Sequence, residues 1–175
     1  MCTCGRAHAQ SSDGRWEAGV FAGAIDFRET LYEKPVALGA RIGYRLTEHI
    51  AFEAEATTCP KNGGGNFGQR LFVVGPRIGV AIGPIGIAAK VRAGAVHFGG
   101  KAFRAQNPGV DVKPVVNIGA VIELGLSRYA AMRIDVGDTI IPFGSTVVRG
   151  PFAYQAAQYG TTHNMEATYG FSFRF

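Results

Sequence analysis

The sequence predicts an all-β fold: an eight-stranded antiparallel up-and-down transmembrane β-barrel. Three observations predict it. Apolar and polar residues alternate with a period of two through eight segments, each roughly ten residues long. Short and long connections alternate strictly between those segments. No run approaches the roughly 18 uninterrupted apolar residues of a membrane-spanning helix. The longest apolar stretch, Ile78 to Ala89, lies between Arg77 and Lys90 and is split by Gly83-Pro84, so it reads as two strands and a turn.

Composition agrees with a crowded barrel. The chain is 47% hydrophobic and only 18% charged, and its 25 glycines are roughly double the average usage. Those glycines fall inside the alternating runs, as in a narrow barrel, and not in a flexible linker. The net charge of +5 raises the question of nucleic acid, but the basic residues stand singly and without clusters, so no nucleic-acid partner is expected.

Residues 1–9 read as the remnant of a secretory signal peptide. Ala7-His8-Ala9 before Gln10 has the small-x-small form of a cleavage site, although the apolar region that should precede it is missing. Residues 10–175 then form one barrel domain. Cys2 and Cys4 are too close together and too isolated for a metal site. Once residues 1–9 are removed, Cys59 has no partner for a structural disulfide.

The first strand, Trp16 to Ile25, sets Trp16, Ala18, Val20, Ala22 and Ala24 against Glu17, Gly19, Phe21 and Gly23. Phe21 on the polar face reads as a filler of the interior. After a polar loop comes the second strand, Val36 to Leu46, then a tight turn at Thr47-Glu48-His49. The third strand starts at Ile50 and is followed by a glycine-rich loop from Cys59 to Gly68. The fourth, Arg70 to Ile82, contains Pro76, where a bulge is expected. Gly83-Pro84 turns the chain into the fifth strand, Ile85 to Ala95. A long loop through Pro108-Gly109 precedes the sixth, Val116 to Gly125. Ser127-Arg128 makes the third tight turn, and the seventh strand runs from Ala130 to Gly137. The last loop, Pro142 to Thr162, leads to the eighth strand, HNMEATYGFSFRF. There Met165, Ala167, Tyr169, Phe171, Phe173 and Phe175 share one face. Short turns at one end and long loops at the other follow the outer-membrane pattern, with the long loops outside the cell.

Alternation alone also fits a water-soluble barrel with an apolar interior. Three features favour the reverse arrangement. The polar face carries glycine beside long charged residues, which suits a narrow filled lumen. Its charges nearly cancel: Glu17, Glu53, Glu55, Glu123, Asp135 and Glu166 stand against Arg41, Arg45, Arg77, Lys90, Arg92, Arg133 and Arg174. Mixed signs on neighbouring strands would allow the pairing that charges away from water require. Finally, Trp16, Tyr44, Tyr129, Phe173 and Phe175 gather at the short-turn end as an aromatic girdle.

The segments RIGYRLTEHIAFEAEA, SRYAAMRIDVGDTI and HNMEATYGFSFRF resemble the small eight-stranded outer-membrane barrels. These are similar to the transmembrane domain of outer membrane protein A and its barrel-only relatives of the porin family. The resemblance covers Trp16 to Phe175 and implies location in the bacterial outer membrane. It also implies that Phe175 serves as the signal read by the barrel assembly machinery. No cell-wall-binding domain of the outer membrane protein A kind is expected.

No catalytic, cofactor or metal site is expected. His97, Ser145, His163 and Asp138 lie near the loop end. However, the closely spaced His and Ser of lipid-deacylating barrels are missing, because Asn164 and Met165 follow His163. No HxH or HExxH spacing supports a metal. Gly63-Gly64-Gly65 lacks the helix that a phosphate loop needs. The expected role is structural or surface-directed, in a monomer with a filled, charge-paired lumen. A small porin-like channel is the alternative, and a lipid-modifying enzyme stands third. Outer-membrane lipid and lipopolysaccharide are the expected partners, with Lys101, Arg104, Lys113 and Arg149 making the loops basic.

Overall fold

The computed structural model describes residues 14–26, 36–60, 68–99, 112–142, 145–149, 154–158 and 160–175, with 145–149 and 154–158 as backbone only. The expected signal-peptide remnant and the glycine run at 63–65 lie outside the described residues.

Eight strands close into an antiparallel barrel: β1 (Trp16–Ile25), β2 (Val36–Arg45), β3 (Ile50–Cys59), β4 (Gly68–Ile82), β5 (Ile85–Gly99), β6 (Val112–Gly125), β7 (Ala130–Pro142) and β10 (Thr161–Arg174). Each of β1 to β7 pairs with its sequence neighbour, and β10 closes the ring between β7 and β1. Closure leaves the barrel no unpaired edge, which a backbone surrounded by hydrocarbon requires. Two short strands, β8 (Ser145–Arg149) and β9 (Tyr154–Gln158), form a separate hairpin within the segment expected to be a plain loop.

The tight turns have local causes. Thr47 Oγ1 accepts hydrogen bonds from the backbone N–H groups of His49 and Ile50, at 3.2 and 3.0 Å. Ser127 Oγ does the same for Tyr129 and Ala130, at 3.2 and 3.1 Å. Between β4 and β5, Gly83 supplies a φ of +61° that other residues rarely adopt.

Two expectations change. The bulge at Pro76 does not form: Val74 pairs with Ala93 and Arg77 with Lys90 in one continuous register. The ladder omits only the rungs at Gly75 and Pro76, and Phe52 faces Pro76 without a slip on the other side. Pro76 removes a donor without adding a residue, so the register survives. In addition, several strands are longer than expected. β4 and β5 each hold 15 residues, while β1 to β3 hold ten. Backbone pairing continues past the apolar band because it needs neighbours, not lipid-facing side chains.

A parity rule sorts the side chains. Odd-numbered residues of β1 to β4, β6 and β7, and even-numbered residues of β5 and β10, point into the lumen. The other face carries the exposed large apolar residues, among them Val20, Ile42, Phe72, Ile134 and Phe171. At the short-turn end, Trp16, Tyr129, Phe173 and Phe175 are exposed, and Trp16 meets Tyr44 edge-on at 5.0 Å. An apolar wall around a charged interior needs a bilayer, or a detergent that replaces it, around the barrel.

Phe21 fills the lumen against β2, and Gly39 makes room for it. A side chain at Gly39 would collide with the Phe21 ring and lie 2.7 Å from the Ala56 carbonyl oxygen. Gly39→Val should therefore destabilise the barrel by about 1–3 kcal/mol. The shift should appear as a lower urea midpoint in micelles, followed by the heat-modifiable gel band. Phe21→Ala in the same background should restore part of the loss.

Candidate functional site: the filled lumen

The inward positions divide the lumen into two zones. Nearest the short turns and at mid-height lies a lattice of ion pairs. Arg77 reaches Glu53 at 2.9 Å and Glu17 at 3.5 Å, and it also bonds Glu123. Arg133 donates to both Glu53 oxygens, at 2.6 and 3.0 Å, and to Asp135, at 2.9 and 2.8 Å. Arg174 reaches Glu123 at 2.8 Å and Glu17 at 3.5 Å. At mid-height, Asp135 also takes Arg41 at 2.6 Å and Lys90 at 3.1 Å. Lys90 then reaches Glu166 at 2.9 Å, and Arg92 reaches Glu55 at 2.6 Å. Polar groups complete the layer: Arg92 donates to Asn117, which donates to Thr139, which donates to Glu166 at 3.1 Å.

Most of these pairs do not join neighbouring strands, as the sequence had suggested. Arg41 of β2 meets Asp135 of β7, Arg133 of β7 meets Glu53 of β3, and Lys90 of β5 meets Glu166 of β10. The lumen of an eight-stranded barrel is narrow enough for long side chains to reach across it. Arg45 stays out of the lattice. It lies half-buried at the short-turn mouth and forms no ion pair among the described residues. Without it, the lattice pairs Arg41, Arg77, Lys90, Arg92, Arg133 and Arg174 with Glu17, Glu53, Glu55, Glu123, Asp135 and Glu166, six of each sign. Arg41 also lies over the Phe21 ring, 4.6 Å from its centroid.

The second zone, toward the long connections, is largely apolar, with buried Gln69 and Thr57 among its side chains, and was not anticipated. Ile25, Leu71, Val73, Val96, Phe98, Val115 and Ile141 pack into one buried cluster with Ala37 and Cys59. This cap closes the lumen above the charges.

The catalytic candidates separate. His163 Nδ1 lies 2.6 Å from Asp138 Oδ2, with both residues on the outward face. His97 sits on β5, paired with Arg70. The side chain of Ser145 falls outside the described residues, and among those described no hydroxyl or thiol bonds the His163 imidazole. Among the described residues no group of His, Cys, Asp and Glu is arranged to hold a metal ion.

Removing Arg133 would leave Glu53 and Asp135 short of their principal cation. Arg133→Met should cost about 3–5 kcal/mol, the usual result of stranding buried charges. Urea unfolding in micelles measures this. Arg45→Met, outside the lattice, should shift the midpoint by less than about 1 kcal/mol.

No known family profile and no curated protein matches the sequence. Solved structures do match. The N-terminal β-barrel domain of Pseudomonas aeruginosa OprF is similar over 93% of this chain and 99% of its own, with a TM-score of 0.54 and 16% identity. Neisserial surface protein A is similar over 91% of this chain and 96% of its own, with a TM-score of 0.54 and 12% identity. A de novo designed transmembrane β-barrel matches over 93% and 96%, with a TM-score of 0.51 and 13% identity. Identities this low speak to the fold alone, and a designed protein among the matches shows that the geometry needs no common ancestry. The chain has the closed eight-stranded barrel fold that these solved structures share.

Proposed function

We propose that this outer-membrane barrel is a closed scaffold with a structural or surface-directed role, and not a standing pore or an enzyme. One observation carries the reading: the lumen is filled along its height. Arg133, Lys90 and Arg92 are each about 1% exposed, and the apolar cluster lies above them. A hydrated solute would have to break several ion pairs and then displace the packed, largely apolar cluster. Work done at the surface then falls to the loops and the outer wall. Lys101 and Arg104 lie outside the described residues, so the contribution of the loops to lipopolysaccharide contact rests on their basic sequence. Phe175 stands at the end of the strand that closes the barrel against β1, where its backbone exchanges hydrogen bonds with Trp16. Reading of this strand by the assembly machinery belongs to the same proposal.

Planar-bilayer recording tests the closed lumen. The refolded protein should show no steady porin-size current. Such a current, sustained across independent insertions, would overturn the reading in favour of a small channel.

A further inference from the structure

The outer wall is not uniform near the long connections. A groove of about 660 Å³ crosses β2 to β6 on the lipid-facing side. The register resolves it into rows. In one row Ala40 faces Ala56, Ala56 faces Phe72, and Phe72 faces Ala95. Ala40 and Ala56 make its floor on β2 and β3, and Phe72 stands up beside them on β4. The row above, nearer the loops, places Thr58 opposite Arg70 and Arg70 opposite His97. Thus an apolar floor is bordered on its loop side by a guanidinium and an imidazole on adjacent strands.

Neither Arg70 nor His97 forms a hydrogen bond or ion pair with a described residue. The described outward acids of this end are Asp26, just past the end of β1, and Asp138 on β7, and neither lines the groove. Residues directly opposite in antiparallel strands have Cβ atoms about 4.5–5.5 Å apart, so both side chains can reach one anion. A guanidinium fork matches two phosphate oxygens, and the imidazole adds a further donor. The trough faces the bilayer, so the chain that fills it comes from lipid.

We infer that this groove binds a phosphorylated lipid of the outer leaflet, the lipid anchor of lipopolysaccharide. One acyl chain lies over Ala40 and Ala56 against the Phe72 ring, and a phosphate is held between Arg70 and His97. The inference moves the expected lipopolysaccharide contact from the loops to the barrel wall. It does not depend on the lumen being closed, and it relies on the long connections facing outward.

Native mass spectrometry of the detergent-folded protein, titrated with bis-phosphorylated lipid A, provides the test. The wild-type protein should retain one tightly held lipid. Arg70→Ser with His97→Ser should weaken retention about tenfold, the scale of one charge-assisted hydrogen bond. Dephosphorylated lipid A on the wild-type protein should bind more weakly by a similar factor. Ala56→Phe, which fills the trough, should weaken retention while the phosphate ligands stay in place. The heat-modifiable gel band verifies that each variant is folded. Equal retention of the two lipids by the wild-type protein would overturn the inference even if a variant failed to fold. Unchanged retention in the Arg70/His97 variant, or in Ala56→Phe, would overturn it as well. None of these outcomes alters the conductance on which the closed-lumen reading stands.

Discussion

Everything in this barrel depends on keeping charge out of lipid and paired within a space that holds little water. Six cations and six anions pair within one narrow lumen, most of them with partners remote in sequence. Arg41 and Asp135 are 94 residues apart, and Arg133 and Glu53 are 80 apart. A pair like these forms only when the strands between its partners are in register. A slip of one residue in any strand would turn its lumen charges toward hydrocarbon and its phenyl or isoleucine side chains inward. The lattice therefore stabilises one register and penalises its neighbours more than it adds to net stability, since buried ion pairs return little beyond their desolvation cost.

The fold was largely legible because the two faces differ so strongly. In β10, Tyr169, Phe171 and Phe173 alternate with Gly170, Ser172 and Arg174, and period two leaves no other reading. Legibility failed where both faces become apolar. Leu71 to Val74, Val115-Val116 and Ile140-Ile141 carry apolar residues inward and outward in turn, so alternation vanishes there. The apolar cap and the upper reaches of β4 to β7 lie in those stretches. The hairpin of β8 and β9 was missed for a related reason, because each strand spans only five residues, too few to show a period. The partners of the interior charges were also hidden. Sequence spacing shows which face a residue takes, but not which side chain it meets across a lumen.

The cap and the lattice give the barrel two different ends. The short-turn end is charged inside and aromatic outside, where Trp16, Tyr44 and Tyr129 can sit at a headgroup boundary. The loop end is apolar inside, and its outer rim is polar but uneven, with Arg70 and His97 on one side and Asp138 paired with His163 on the other.

The orientation of the two faces is the central claim, and the chain carries its own probe in a single tryptophan, Trp16. The protein would be folded into bilayers whose acyl chains are brominated at a chosen depth, and Trp16 fluorescence recorded. An outward Trp16 at the interface predicts strong quenching by bromine placed near the headgroups and weaker quenching by bromine at the bilayer centre. Emission indifferent to bromine at every depth, from protein folded equally well in plain buffer, would place Trp16 inside a water-soluble barrel and contradict the account.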